Sequence, residues 1–258
     1  MADHRLQGAF RRALRLGALP GPIGAGQTFP MAISSPPSGV VFDAYGTLFD
    51  VYSVQTELEA RFPGRGQAIS AKWREKQIEY SRLRTMSGRY TDFWQITADS
   101  LDYACEFAEA SLDEAARATL LAVYERLPPH PEVPAALRTL AGRGLGLAVL
   151  SNGNSGMLNA ALDAAGLRPL FKHVLSVERV RKFKTAPEAY QLGPDAFGRP
   201  ANELLFVSSN GWDVVGASWF GYPGYWINRA NAPAERLEGP QYPTGRTMND
   251  LVAYLAET

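Results

Sequence analysis

The sequence predicts an α/β protein, a doubly wound parallel sheet with a helical cap inserted after its first strand. Three observations carry that prediction. Short, nearly continuous apolar runs recur along the chain, helical patterns separate most of them, and one long stretch breaks the alternation with helices alone.

The runs lie at Gly39–Asp43, Leu145–Leu150, His173–Val177, Leu204–Val207 and Tyr225–Asn228. Each is bounded by Gly, Ser, Asn or Asp, the pattern of strands buried on both faces of a parallel sheet. Helical spacing follows at Val133–Arg143, Gly156–Ala165, Ala186–Phe197 and Asp213–Phe220, and strand–helix alternation argues for a doubly wound core. Between the first two strands the apolar positions recur every three or four residues over Val54–Arg61, Ser70–Met86, Thr91–Glu109 and Leu112–Leu127. Asp113 marks a helix start there, and Pro128-Pro129 a stop. Four helices are too many for a crossover and read as a cap over the carboxyl ends of the strands, where open α/β sheets place their sites. The expected division is a core of residues 39–50 and 131–258 with a cap of residues 51–130.

Residues 1–38 stand apart: an Arg-rich start runs into a Gly/Pro-rich stretch. The expectation is a disordered tail, or a start at Met31. A targeting signal through Arg11-Arg12 is disfavoured by Arg15 and the prolines that follow. The remaining composition excludes several classes. Lys plus Arg equals Asp plus Glu at 26 each, so the basic excess of a nucleic-acid binder is absent. No apolar run approaches the roughly 18 residues that span a bilayer. A single cysteine, Cys105, cannot form an intramolecular disulfide and reads as a small core residue. A cytoplasmic location is expected. His4, His130 and His173 show no ligand spacing.

Polar clusters follow the strands: Asp43-Ala44-Tyr45-Gly46-Thr47 after the first, Ser151-Asn152-Gly153 after the second, Lys184 beyond the third, and Ser208-Ser209-Asn210 with Asp213 after the fourth. Any one of them has a plain alternative as a helix cap. Their convergence on one sheet edge favours a site.

This arrangement resembles the haloacid dehalogenase superfamily, whose Rossmann-like core carries four loop motifs and an optional cap. The resemblance covers the chain from about Gly39 to its end and implies that Asp43 is the nucleophile, Ser151 the second motif, Lys184 the third and Asp213 the end of the fourth. Phosphatases of the superfamily use Asp-x-Asp with magnesium. Tyr45 replaces the second Asp here, and Ser209 stands four before Asp213 where another acidic residue would help hold the metal. Developing phosphate charge would go unsupported, so no metal or other cofactor is expected. The same departures resemble the L-2-haloacid dehalogenase branch, as do FDAYGTLFDV, WREKQIEYSRLR, LAVLSNGN, KTAPEAY and LLFVSSNGWDVVGASWFGYPGYWINR in order. Two positions depart from that branch: Thr185 where Pro is more usual, and Ala44 beside the nucleophile where a bulkier aliphatic is common. Ala44 is expected to widen the pocket.

The resemblance implies a chemistry that these residue types suit. Displacing halide from the carbon beside a carboxylate needs an aligned anionic oxygen, from Asp43. Lys184 and the hydroxyls of Thr47 and Ser208 would keep that carboxylate ionised. Arg74, with Asn152, would cradle the departing halide. Ser151 and backbone N–H groups after Asp43 would hold the substrate carboxylate. Water would then open the Asp43 ester, activated by Asp213 with Asn210. Tyr45, Phe93 and Trp212 would wall the pocket, and Tyr190, six residues past Lys184, would bond a site group; aromatics at such positions are also ordinary core. The implied reaction takes a small L-2-haloalkanoate to the D-2-hydroxy acid and halide, and a homodimer is implied as well. Same-site rivals are an azetidine-2-carboxylate hydrolase and a fluoroacetate defluorinase. A binding protein on a retired core is the rival from another class.

Overall fold

A computed structural model describes residues 36–239 and 241–258. The expected N-terminal tail thus lies almost wholly outside the described residues. Pro37 is already buried, and the Ser38 N–H donates to the Glu203 carbonyl at 2.8 Å.

In chain order the strands are β1 (Gly39–Phe42), β2 (Gly146–Ser151), β3 (His173–Ser176), β4 (Leu204–Ser208), β5 (Gly224–Ile227) and β6 (Thr244–Gly245). They form one parallel sheet in the order β3-β2-β1-β4-β5-β6. The four residues of β1 are buried throughout, as its central place demands and its run of Val40, Val41 and Phe42 allows. The helices are α1 (Val54–Arg61), α2 (Gly66–Ser87), α3 (Phe93–Phe107), α4 (Glu114–Tyr124), α5 (Val133–Gly142), α6 (Ser155–Ala164), α7 (Pro187–Phe197), α8 (Gly211–Phe220) and α9 (Met248–Glu257). Chain order reverses at β1, so right-handed crossovers put helices on both faces of the sheet. That reversal places Asp43, Ser151 and Ser208 side by side: Phe42 pairs with Val149 on one side and Val207 on the other.

Helices α1 to α4 form the inserted cap. Its two connections to the core run antiparallel: the Asp50 N–H donates to the Pro128 carbonyl at 2.9 Å and the His130 N–H to the Leu48 carbonyl at 3.0 Å. Leu58, Ile69, Trp73, Ile96, Leu101 and Leu120 of these helices are buried in an apolar cluster continuous with that of the sheet. Asp113 does cap α4, accepting from the Ala116 N–H at 2.7 Å. That helix ends at Tyr124, short of the prolines, because residue positions before Pro disfavour helical backbone.

Two elements escape the sequence reading. Strand β6 has only two residues, too few for any periodicity. Helix α9 carried a legible signal, a capping box in which Thr247 and Asp250 exchange hydrogen bonds with backbone N–H groups.

Candidate active site

The site is built outward from Asp43, one residue beyond β1 and 6% exposed. Its two oxygens are treated unequally. Oδ2 accepts from Thr47 Oγ1 at 2.9 Å and Asn210 Nδ2 at 2.9 Å, with Ser208 Oγ at 3.5 Å. Oδ1 accepts from Lys184 Nζ alone, at 3.0 Å. Gly46 makes the turn that brings Thr47 back over the carboxylate; its φ of +95° is backbone that a side chain would strain. Thr47 Oγ1 also accepts the Ser209 N–H at 2.8 Å, locking the loop after β1 to the loop after β4.

Behind Asp43 lies a fully buried charge cluster. Lys184 Nζ also donates to Asp213 Oδ2 at 2.9 Å, and Tyr190 donates its hydroxyl to Asp213 Oδ1 at 2.8 Å. Burial alone would lower the Lys184 pKa, but the Asp213 and Asp43 carboxylates outweigh it and raise the pKa above its ordinary value. For Asp213 burial dominates over Lys184, and its pKa is raised. The Tyr190 phenol is raised well above its usual value, first by burial and then by Asp213. A single ammonium bridging two carboxylates leaves the cluster net anionic while all three are charged, which keeps one carboxylate oxygen electron-rich at the cavity.

The cavity over Asp43 has a volume of about 20 Å³, roughly room for one water. Core residues Tyr45, Ser151, Asn152, Asn210 and Trp212 line it, together with Arg74, Ile78 and Phe93 from the cap. Ser151 Oγ accepts the Gly153 N–H at 3.1 Å, leaving its own O–H to give. Asn152 spends its carbonyl oxygen on the Lys184 N–H at 2.9 Å, leaving its NH₂.

Arg74 Nη2 donates to the Tyr45 carbonyl at 3.1 Å, and its positive charge opposes the rise that burial gives the Tyr124 phenol's pKa. Tyr124 donates to Gln77 Oε1 at 2.9 Å, Gln77 Nε2 to Thr97 Oγ1 at 3.0 Å, and Thr97 to the Phe93 carbonyl at 2.8 Å. This buried relay joins α4, α2 and α3 and holds the start of α3 at Phe93. On the far side, Arg82 lies over the Trp212 ring at 4.7 Å, holding α2 down on the core.

The convergence expected from the sequence therefore has this form: Asp43, Tyr45, Arg74, Phe93, Ser151, Asn152, Asn210 and Trp212 meet at one cavity. Thr47, Lys184 and Ser208 touch the Asp43 carboxylate from behind it. Two substrate-contact expectations are corrected. Tyr190 does bond a site group, its hydroxyl donating to Asp213, but it does not line the cavity and so does not stand among the substrate contacts expected of it. Ala44 is fully buried in the turn, its carbonyl accepting the Leu48 N–H at 2.8 Å, so its methyl does not widen the pocket. Ile78 was missed, although it lies four residues after Arg74 and thus on the same helix face. Arg229 was also missed: it donates to the Thr47 carbonyl at 3.1 Å and pairs with Glu132, bracing the nucleophile loop. Among the described residues, no three His, Cys, Asp or Glu side chains are grouped to hold a metal.

A parallel α/β sheet with an aspartate at its switch point, an ammonium bridging that aspartate to a second one, and a helical lid above defines a class: capped hydrolases built for attack by a carboxylate. The model of haloacid dehalogenase-like hydrolases matches residues 37–221, and the chain belongs to that family. It is similar to the (S)-2-haloacid dehalogenase of Pseudomonas sp. (strain YL), 47% identical over 77% of this chain and 86% of that one. The crystal structure of an L-2-haloacid dehalogenase at 49% identity superposes with a TM-score of 0.84, covering 86% of this chain and all of the other. The Xanthobacter autotrophicus L-2-haloacid dehalogenase with chloropropionic acid covalently bound superposes at 0.79, with 38% identity over 85% of this chain and 98% of that one.

Proposed function

We propose that this protein hydrolyses small L-2-haloalkanoates to D-2-hydroxy acids and halide through an ester of Asp43. The observation that carries the reading is the unequal treatment of the Asp43 carboxylate. Oδ2 is immobilised by two good donors and a third at the limit of reach, while Oδ1 keeps a lone pair free beside a single lysine. Oδ1 is the attacking oxygen. It displaces halide from behind the carbon–halogen bond; the carbon–oxygen bond forms as the halide leaves with the bonding pair, inverting the carbon. Halide departs as a stable anion, so no acid is needed at the Tyr45 position, and Arg74 and the Asn152 NH₂ receive it.

Esterification removes the Asp43 charge, leaving Lys184 paired with Asp213 alone. Water then adds to the Asp43 carboxyl carbon, the ester opens, and the hydroxy acid leaves with an oxygen from Asp43. Asp213 takes one proton of the water, the other ends on the departing oxygen, and Asp213 then releases its proton to solvent; its raised pKa suits a base. The cavity is too small for a haloalkanoate as it stands, so the cap gives way to admit substrate and closes to exclude bulk water.

The test is halide release from L- and D-2-chloropropanoate in chelator-containing buffer, with Asp43→Asn beside the wild type. Release from the L form only, insensitive to chelator and abolished by the substitution, supports the reading; release that survives Asp43→Asn sinks it. The same reading divides the chain into a core of residues 39–50 and 131–258 and a cap of residues 51–130, and takes it as a cytoplasmic homodimer. Light scattering in solution tests the dimer; exposed Leu83 and Met86 on α2 are among the apolar residues available to it.

A further inference from the structure

The Tyr45 hydroxyl is buried and has no hydrogen-bond partner among the described residues. The residue is 3% exposed and lines the cavity beside Asp43 and Ser151. Its direction is not left to chance. The ring is stacked on Phe93 at 6.3 Å and on Tyr124 at 5.9 Å, with Phe49 tilted against it at 6.3 Å. On the fourth side it lies against Gly153, where an added Cβ would meet the ring at 2.7 Å, the Tyr45 hydroxyl at 3.3 Å and Ser151 Oγ at 3.5 Å. The two hydroxyls therefore flank one point at the end of β2. Burial raises the Tyr45 pKa above its ordinary value, so the phenol keeps its proton.

We propose that the Tyr45 hydroxyl, paired with that of Ser151, binds the substrate's carboxylate and so determines specificity for 2-substituted acids. The inference rests on the haloacid reading and adds a residue to it. An anionic carboxylate offers about four acceptor positions. Lys184 is spent on Asp43 and Asp213, and Arg74, tied to the Tyr45 carbonyl, is given to the halide. With the Asn152 NH₂ given to the halide, the side-chain donors left for the carboxylate are the Ser151 O–H and the Tyr45 O–H, beside the backbone N–H groups of the loop after Asp43. An unpaired buried hydroxyl destabilises the ligand-free protein, and it becomes an asset only when an acceptor arrives. Tyr45 is thus a donor in waiting, aimed by its aromatic neighbours.

Tyr45→Phe keeps the ring and its stacking and removes only the donor. For L-2-chloropropanoate, KM should rise about 10- to 100-fold, the scale of a hydrogen bond to a charged group, with kcat changed far less. Inhibition by the product D-lactate should weaken by the same factor, while inhibition by bromide stays as in the wild type. The melting temperature of the ligand-free variant should equal or exceed that of the wild type. Unchanged KM and D-lactate inhibition would overturn the assignment. So would weakened bromide inhibition with D-lactate unaffected, which would move the hydroxyl to the halide, or a lower melting temperature with both inhibitors unaffected, which would make it structural. Halide release by the wild type separates the two readings: its absence overturns both, and its presence with an unaltered Tyr45→Phe overturns this one alone.

Discussion

Replacing Lys184 with methionine tests the charge cluster most severely. The ammonium stands 3.0 Å from Asp43 and 2.9 Å from Asp213 and is 1% exposed. At an effective dielectric of about 20, each contact is worth roughly 5 to 6 kcal/mol of Coulomb attraction, most of it offsetting desolvation. Without the lysine, two buried carboxylates face each other across no more than about 6 Å, a repulsion of about 3 kcal/mol on the same scale. Breaking a buried pair typically costs about 3–5 kcal/mol. The folded variant can relieve this only by binding a proton, which raises a carboxyl pKa above its unfolded value. A raised carboxyl contributes stability below the unfolded pKa and loses it as pH rises through the folded one. The variant's stability relative to wild type should therefore fall from about pH 4 upward, by up to 1.4 kcal/mol per pH unit for one proton, and level off above the raised pKa. Urea unfolding of both proteins between pH 4.5 and 8.5 measures this, and halide release should be lost throughout. A variant as stable as wild type at pH 8, with no extra pH dependence, would refute the cluster's electrostatics.

Tyr190→Phe should lower kcat while leaving KM nearly unchanged, because the hydroxyl holds Asp213 and does not line the cavity; the lost bond should cost about 1–3 kcal/mol of stability. Ile78→Phe should shift preference toward chloroacetate over 2-chlorobutanoate, since the added volume enters a cavity of about 20 Å³ from the cap side; relative kcat/KM values show it. The acid limb of kcat should lie above the ordinary carboxyl range, because burial raises Asp213 and the base must be ionised to act; activity falls as pH drops through that value, and pH–rate profiles in saturating substrate locate it. Tyr124→Phe should reduce kcat/KM by about tenfold with Tyr45 intact, as the loss of the Tyr124–Gln77 bond loosens the relay that holds the Phe93 turn at the cavity; kinetics with the Gln77→Leu variant should show the same direction.

Strand runs and helical spacing made the sheet and cap legible because burial on both faces and amphipathic packing each leave a periodic trace, as in Val40–Phe42 and the Arg74–Ile78 face. Strand β6 left none, being only two residues long. Helix α9 was legible through Thr247 and Asp250 and still went unread. Site residues next to strand ends, Asp43, Ser151 and Asn210, announced themselves by position. Ala44 and Tyr190 did not: adjacency in sequence says nothing about which side of a turn or helix meets the cavity.

By itself the sequence determined which groups could react: a carboxylate ending a buried strand, a lysine in the segment after the third strand, and no second acid at position 45. The tertiary structure decided what each group touches. Only folding brings Lys184 between Asp43 and Asp213, leaves one Asp43 oxygen lightly held, and turns the Tyr190 hydroxyl to Asp213 while Tyr45 lines the cavity. The physical reason is that composition and periodicity fix burial and backbone direction, whereas hydrogen-bond partners depend on distances of a few ångströms between segments far apart in the chain.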